Sequence, residues 1–240
     1  MKTNEFVVKG ASLLEGGRYD VPVKVFGALK VNGDFVVKSL ECYASVKVNG
    51  DLIAYDFLVV EGGLESVDVR VGGYVSITGG ANIMGDMISS GKIELEGGLK
   101  VEGDVKCSEF NATGGILIKG DLIVKGNCRI KGGLKVNGDV RVKGNLEIIL
   151  SGKSKSRIDG DIKVGNNLRI LSRERESNLI VEGDVRAGEE LYIRNVTIRG
   201  DVSSKNVILG PNTVVEGDVR YKHILKMDPS SKILGEIIKS

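Results

Sequence analysis

The dipeptide Gly-Asp returns along this chain with a beat that few folds can accommodate. It stands at Gly33-Asp34, Gly50-Asp51, Gly85-Asp86, Gly103-Asp104, Gly120-Asp121 and Gly138-Asp139, then at Gly160-Asp161, Gly183-Asp184, Gly200-Asp201 and Gly217-Asp218, with Gly235-Glu236 closing the series. Most spacings are 17 or 18 residues; the one gap of 35 spans two repeats, with Val67-Asp68 at the missing landmark, and Gly16-Gly17 marks the first repeat. A fixed period of this size means stacked copies of one small unit. A finer period runs inside the central repeats, where Gly114, Gly120, Gly126, Gly132, Gly138 and Gly144 are six apart. The unit reads apolar-x-apolar-x-Gly-polar, as in Leu122-Ile123-Val124-Lys125-Gly126-Asn127. Such alternation puts the first and third side chains on one face of a strand. Gly followed by Asp, Asn or Gly supplies a corner that tolerates unusual backbone angles.

Three such units make one coil, so each coil has three short strands and three corners. The chain is therefore expected to be all-β: a three-sided, single-stranded parallel β-helix, or β-solenoid, of about 12 coils. Pro22, Pro211 and Pro229 are isolated and no linker interrupts the beat, which predicts one domain over residues 1–240. A lone coil buries too few aliphatic side chains to offset the entropy of ordering its backbone, so stability must come from neighbouring coils.

Composition narrows the function classes. There are 34 Lys and Arg against 32 Asp and Glu, a net charge of +2. That balance lacks the concentrated basic surface a nucleic-acid partner requires. Cys42, Cys107 and Cys128 form no CxxC and no metal-ligand spacing, and read as small buried hydrophobes in a reducing compartment. The N-terminal residues carry no long apolar run, so neither a signal peptide nor a membrane span is expected and the default location is the cytoplasm. Nothing in the sequence supports a membrane surface as partner. His223 is the only histidine. A lone histidine cannot supply the three-histidine metal site of left-handed hexapeptide solenoid enzymes and argues against their acyltransferases, whose repeat unit also differs from this one, and no Ser-His-Asp, P-loop or HExxH can be assembled. The expectation is no enzyme, no cofactor, no metal and no small-molecule substrate. With no Trp, 5 Phe and 6 Tyr, sugar stacking is poorly served.

The stretch Val207-Ile208-Leu209-Gly210-Pro211-Asn212-Thr213-Val214-Val215-Glu216-Gly217-Asp218-Val219-Arg220, followed by Ile233-Leu234-Gly235-Glu236-Ile237, resembles the bactofilin family. The likeness is clearest from about residue 180 onward and elsewhere amounts to shared periodicity. It implies a right-handed β-helix and a non-enzymatic cytoskeletal protein that polymerises without nucleotide by joining helix ends. This chain departs from that family in having more coils and almost no disordered, proline-rich tails. Glycine-rich solenoids also serve as parts of larger complexes; the β-helical subunit of formylmethanofuran dehydrogenase and the C-terminal domain of the division inhibitor MinC are similar in kind. A subunit or interaction module is thus the second expectation.

A solenoid has two open ends with unpaired strand edges, which proteins normally cover. No amphipathic helical stretch stands near either terminus. Phe6, Val7, Val8, Leu13 and Leu14 at one end, and Ile224, Leu225, Met227, Ile233, Leu234, Ile237 and Ile238 at the other, are expected to form a self-assembly interface, giving a homo-oligomer or filament. The alternative is that residues 1–20 or 221–231 fold over the core as a lid. Two insertions lengthen the beat to 22 and 23 residues, at 152–157 and 172–177, and both follow the second strand of their coil. They are expected to project from one corner and to offer Lys153, Lys155, Arg157, Arg173 and Arg175 to a partner. The Gly-Asp aspartates should line up along the solenoid and serve turn hydrogen bonds, offset by a basic column at Lys106, Arg141, Lys163, Arg186 and Arg220.

Overall fold

The computed structural model describes residues 5–151, 155–172 and 178–240. They form a β-solenoid of about 13 turns, with no helix among the described residues. The chain divides into two compact units, Met1–Gly114 and Gly115–Ser240. Within each, every strand pairing is parallel and joins a strand to its counterpart one turn further along. Three sheets result. The first holds the strands that leave each Gly-Asp corner, and the second and third follow in order around the turn.

In the first unit the second sheet shows why the alternating pattern folds this way. Val23, Leu40, Leu58, Val75, Ile93 and Phe110 stand in register across successive turns and are all buried. Their outward neighbours in the same register are Lys24, Glu41, Val59, Ser76, Glu94 and Asn111. A one-residue slip would exchange the two sets, so the hydrophobic pattern specifies the register. Some strands run on through the corners: Leu29–Cys42 is one strand that pairs successively with Val46–Val48, Leu52–Ala54 and Leu58–Val60, bending through all three sheets.

In the second unit the corresponding column is Cys128, Leu146, Leu168, Leu191, Val207 and Leu225. Leu146–Leu150 pairs with Leu168–Ser172, and Ser156–Ile158 pairs with Leu179–Val181. Both insertions therefore leave from the same corner on consecutive turns. Lys153, Arg173 and Arg175 lie outside the described residues. Lys155 is exposed, but Arg157 belongs to the strand Ser156–Ile158 rather than to the insertion. Ser156 and Ile158 point inward, so Arg157 points out, and its guanidinium pairs with Asp159 and, at 2.7 Å, with Glu182.

The Gly-Asp corner is a device that acts between turns. In both units the carboxylate Oδ1 of a corner aspartate accepts the backbone N–H of the aspartate one turn on. In the first unit Asp51, Asp68, Asp86 and Asp104 donate to Asp34, Asp51, Asp68 and Asp86 at 2.8–3.2 Å. In the second, Asp139, Asp161, Asp184, Asp201 and Asp218 donate to Asp121, Asp139, Asp161, Asp184 and Asp201 at 2.8–2.9 Å. The glycine makes room for this arrangement, since a Cβ on Gly103 would lie 2.2 Å from Asp86 Oδ1. The other carboxylate oxygen takes the expected basic column: Arg141 reaches Asp121 and Asp139, Lys163 reaches Asp161, Arg186 reaches Asp184, and Arg220 reaches Asp201 and Asp218. Lys106 pairs with Asp104, and Arg70 plays the same part for Asp51 and Asp68. Buried serines close the remaining polar account, as where Ser66 donates to the Gly50 and Asp68 carbonyls. Among the described residues no buried side-chain N or O lacks a partner. All three cysteines are free and buried; burial pushes the Cys107 thiol up to about 12 and raises that of Cys42 as well.

Candidate assembly surfaces at the outermost turns

The outermost turn of the first unit begins with the strand Phe6–Lys9, whose partner among the described residues is the segment 23–26 of Ser12–Phe26. Register gives each side chain its direction. Phe6 and Val8 continue the core columns of Val23 and Val25, whereas Val7 continues the outward position of Lys24. Leu14 continues the core column of Val31, and Leu13 the outward position of Lys30. The predicted set thus splits: Phe6, Val8 and Leu14 face the core, and Val7 and Leu13 face solvent. Val8 is buried, but Phe6 is 36% exposed where Val23, one turn inward in the same column, is 1% exposed. That difference measures a core left open on one side.

Tyr19 stands in this mouth although the pattern reading passed over it. It continues the column of Val37, stacks on Phe6 with ring centroids 5.5 Å apart, and meets Phe35 edge-on at 5.4 Å. Extending the first sheet's column back one further turn would have found it. Of residues 1–20, offered above as a lid, the described ones are instead largely strands in the ladder, Phe6–Lys9 and the start of Ser12–Phe26. The turn carries Glu5, Glu15 and Asp20 against Lys9 and Arg18. Arg18 pairs with Asp20 at 2.6 Å.

The outermost turn of the second unit has the same anatomy. Leu225 and Met227 continue the columns of Val207 and Leu209, Ile233 that of Val215, and Ile237 that of Val219. Ile237 is 54% exposed where Val219 is wholly buried. Ile224 lies opposite the outward Asn206 and Ile238 opposite the outward Arg220, and Leu234 sits exposed at a corner. The alternative lid, residues 221–231, is largely the strand Val219–Met227 and its following corner, not a cover over the core. Lys239 takes the column of Tyr221, a second position the pattern reading did not single out. His223 is exposed, as expected. This turn bears Lys222, Lys226, Lys232 and Lys239 against Asp228 and Glu236. Ser230 donates to the Asp228 carboxylate through both its N–H and its hydroxyl, which holds that carboxyl below its ordinary range. Glu236 ends the aspartate ladder: its N–H donates to Asp218 at 3.0 Å.

Among the described residues each surface is therefore a strand edge with no further strand paired to it around a partly open apolar core, the kind of edge that invites another strand. Among the described residues no group of three or more potential metal ligands occurs, and no helix is long and apolar enough to cross a membrane. Away from the mouths, the first unit carries two stacked aromatic pairs: the exposed Phe26 and Tyr43 at 5.1 Å beneath Lys24, and the half-buried Phe57 against the exposed Tyr74 at 5.3 Å. Comparison of the chain with family models, with curated proteins and with solved structures finds no match.

Proposed function

We propose that this protein is a non-enzymatic cytoskeletal scaffold of the cytoplasm that self-assembles end to end through its outermost turns, without nucleotide. One observation carries the reading: at both ends, side chains that belong to core columns stand open, as Phe6 against Val23 and Ile237 against Val219. Closing these columns with another copy would remove apolar surface from water at roughly 25 cal/mol per Å² and pair the free backbone edges. The bactofilin resemblance points the same way. The test is light scattering and negative-stain electron microscopy of the purified chain across a concentration series without nucleotide. Filaments or oligomers that Phe6→Asp and Ile237→Asp abolish support the proposal; both variants assembling like the parent would sink it.

A second reading, an interaction module of a larger complex, draws on the outward aromatics Phe26, Tyr43, Tyr55 and Tyr74, which lie on corners and not at a mouth. It predicts a monomer at high concentration.

A further inference from the structure

Resting on the end-to-end reading above, we infer that copies of this chain join head to tail, the Phe6 end of one against the Ile237 end of the next, so that any assembly is polar. Three observations converge on this pairing.

The first is register. Counted from the Gly-Asp corner, the outermost strands at the two ends fall on corresponding sheets and in corresponding phase. Continuing the ladder by one turn places Phe6 over Leu225, Val8 over Met227, Leu14 over Ile233 and Gly17 over Ile237 of the neighbouring copy. Each open core column on one side then meets its own column on the other. Two identical ends brought together by a two-fold axis would instead run antiparallel and exchange two of their sheets, so those columns would not coincide.

The second is charge. The Ile237 end carries four lysines against two acids, while the first 20 residues are balanced at three acids against three bases. Two Ile237 ends brought together would set positive against positive, and like charges directly opposite across strands are destabilising, whereas head to tail a positive face meets a balanced one. The outward Lys9 falls over Asp228, and Val7 falls over Lys226.

The third is the shape of the mouths. Tyr19 and Phe6 fill one mouth with rings, and in the continued ladder Tyr19 lies over Lys239, whose aliphatic stem can cover a ring while its ammonium reaches water. Glu236 presents a carboxylate in the aspartate position to the corner at Gly16-Gly17 of the next copy, where no aspartate stands.

The experiment uses the full chain and two blocked variants, with mass determined by light scattering. Phe6→Asp closes one end and Ile237→Asp the other. Head-to-tail joining predicts that each variant alone is monomeric and that an equimolar mixture gives a one-to-one dimer, formed by the unaltered Ile237 end of the first and Phe6 end of the second. If each variant alone dimerises and the mixture contains no heterodimer, the contact is like-to-like; this inference is then wrong while end-to-end assembly stands. A parent chain that stays monomeric throughout removes both. A mixture that remains monomeric while the parent assembles also overturns the pairing. Should either aspartate variant lose its strand signal by circular dichroism, the exposed pair Val7 and Lys226 replaces it. Val7→Lys should weaken assembly about fivefold by facing Lys226, and adding Lys226→Glu should restore it. No rescue would refute the register.

Discussion

Replacing Asp161 by alanine tests the aspartate ladder at a point where every contact is defined. Asp161 Oδ1 accepts the N–H of Asp184 at 2.9 Å, and Oδ2 pairs with Lys163 at 3.1 Å. Hydrogen bonds to an ionised group contribute about 1.5–3 kcal/mol. The side chain is 32% exposed, which places this one in the lower half of that range; the exposed lysine pair adds well under about 1 kcal/mol. Asp161→Ala should therefore cost about 1.5–2 kcal/mol near neutral pH. Asp161→Asn keeps an acceptor in place and loses only the charge assistance, so about 0.5–1 kcal/mol is expected. The carboxyl lies below its ordinary range chiefly because of the Asp184 N–H, with Lys163 assisting against burial. A depressed carboxylate stabilises the fold above its unfolded pKa, near about 3.9, and loses that contribution as pH falls through the lower folded value. The gap between parent and Asn variant should thus be full at neutral pH, begin to narrow near about pH 4 and close only as pH falls through the lower folded value. Amide exchange at Asp184, followed alongside urea unfolding, is the direct assay, since alanine should speed it roughly ten- to thirtyfold. Unchanged exchange at Asp184, or an asparagine variant as damaged as the alanine, would refute the account of the corner.

Further outcomes follow from the same packing. Phe110 is wholly buried in the second-sheet column of the first unit, so Phe110→Ala should destabilise by about 3–5 kcal/mol and Phe110→Leu by much less, as read from urea midpoints. Gly97 has φ +139° and a Cβ there would lie 2.1 Å from the Gly79 carbonyl oxygen, whereas at Gly80 the closest atom would be 3.8 Å away. Gly97→Ala should therefore lower the melting temperature sharply while Gly80→Ala leaves it nearly unchanged. The three buried thiols should resist iodoacetamide in the native protein at pH 8 and all react in denaturant; native labelling of Cys107 would contradict its raised pKa.

The end surfaces were only partly legible in the sequence. Phe6, Val8, Leu14, Leu225, Met227, Ile233 and Ile237 could be named as apolar and terminal, but Val7, Leu13, Ile224 and Ile238 could not be told apart from them. Direction comes from the pairing partner one turn away, and at a solenoid end the motif that would anchor the count is weakest: Gly16-Gly17 lacks the aspartate. Tyr19 and Lys239 escaped for the same reason, being core-column positions filled by residues that do not read as core.

What the sequence alone determined was the period, the three strands per turn and the inward columns, because alternation and glycine corners are local facts within a few residues of one another. What only the tertiary structure decided was the meaning of contacts between residues a full turn apart. The Gly-Asp pair reads locally as an ordinary corner; stacked, its glycine admits the preceding turn's carboxylate and its N–H is captured by it, as Asp161 is by Asp139. Arg157 likewise passes from insertion to strand once Ser156–Ile158 finds Leu179–Val181. A side chain's partner in a solenoid is set by stacking, and stacking distance along the chain is invisible to any short window of sequence.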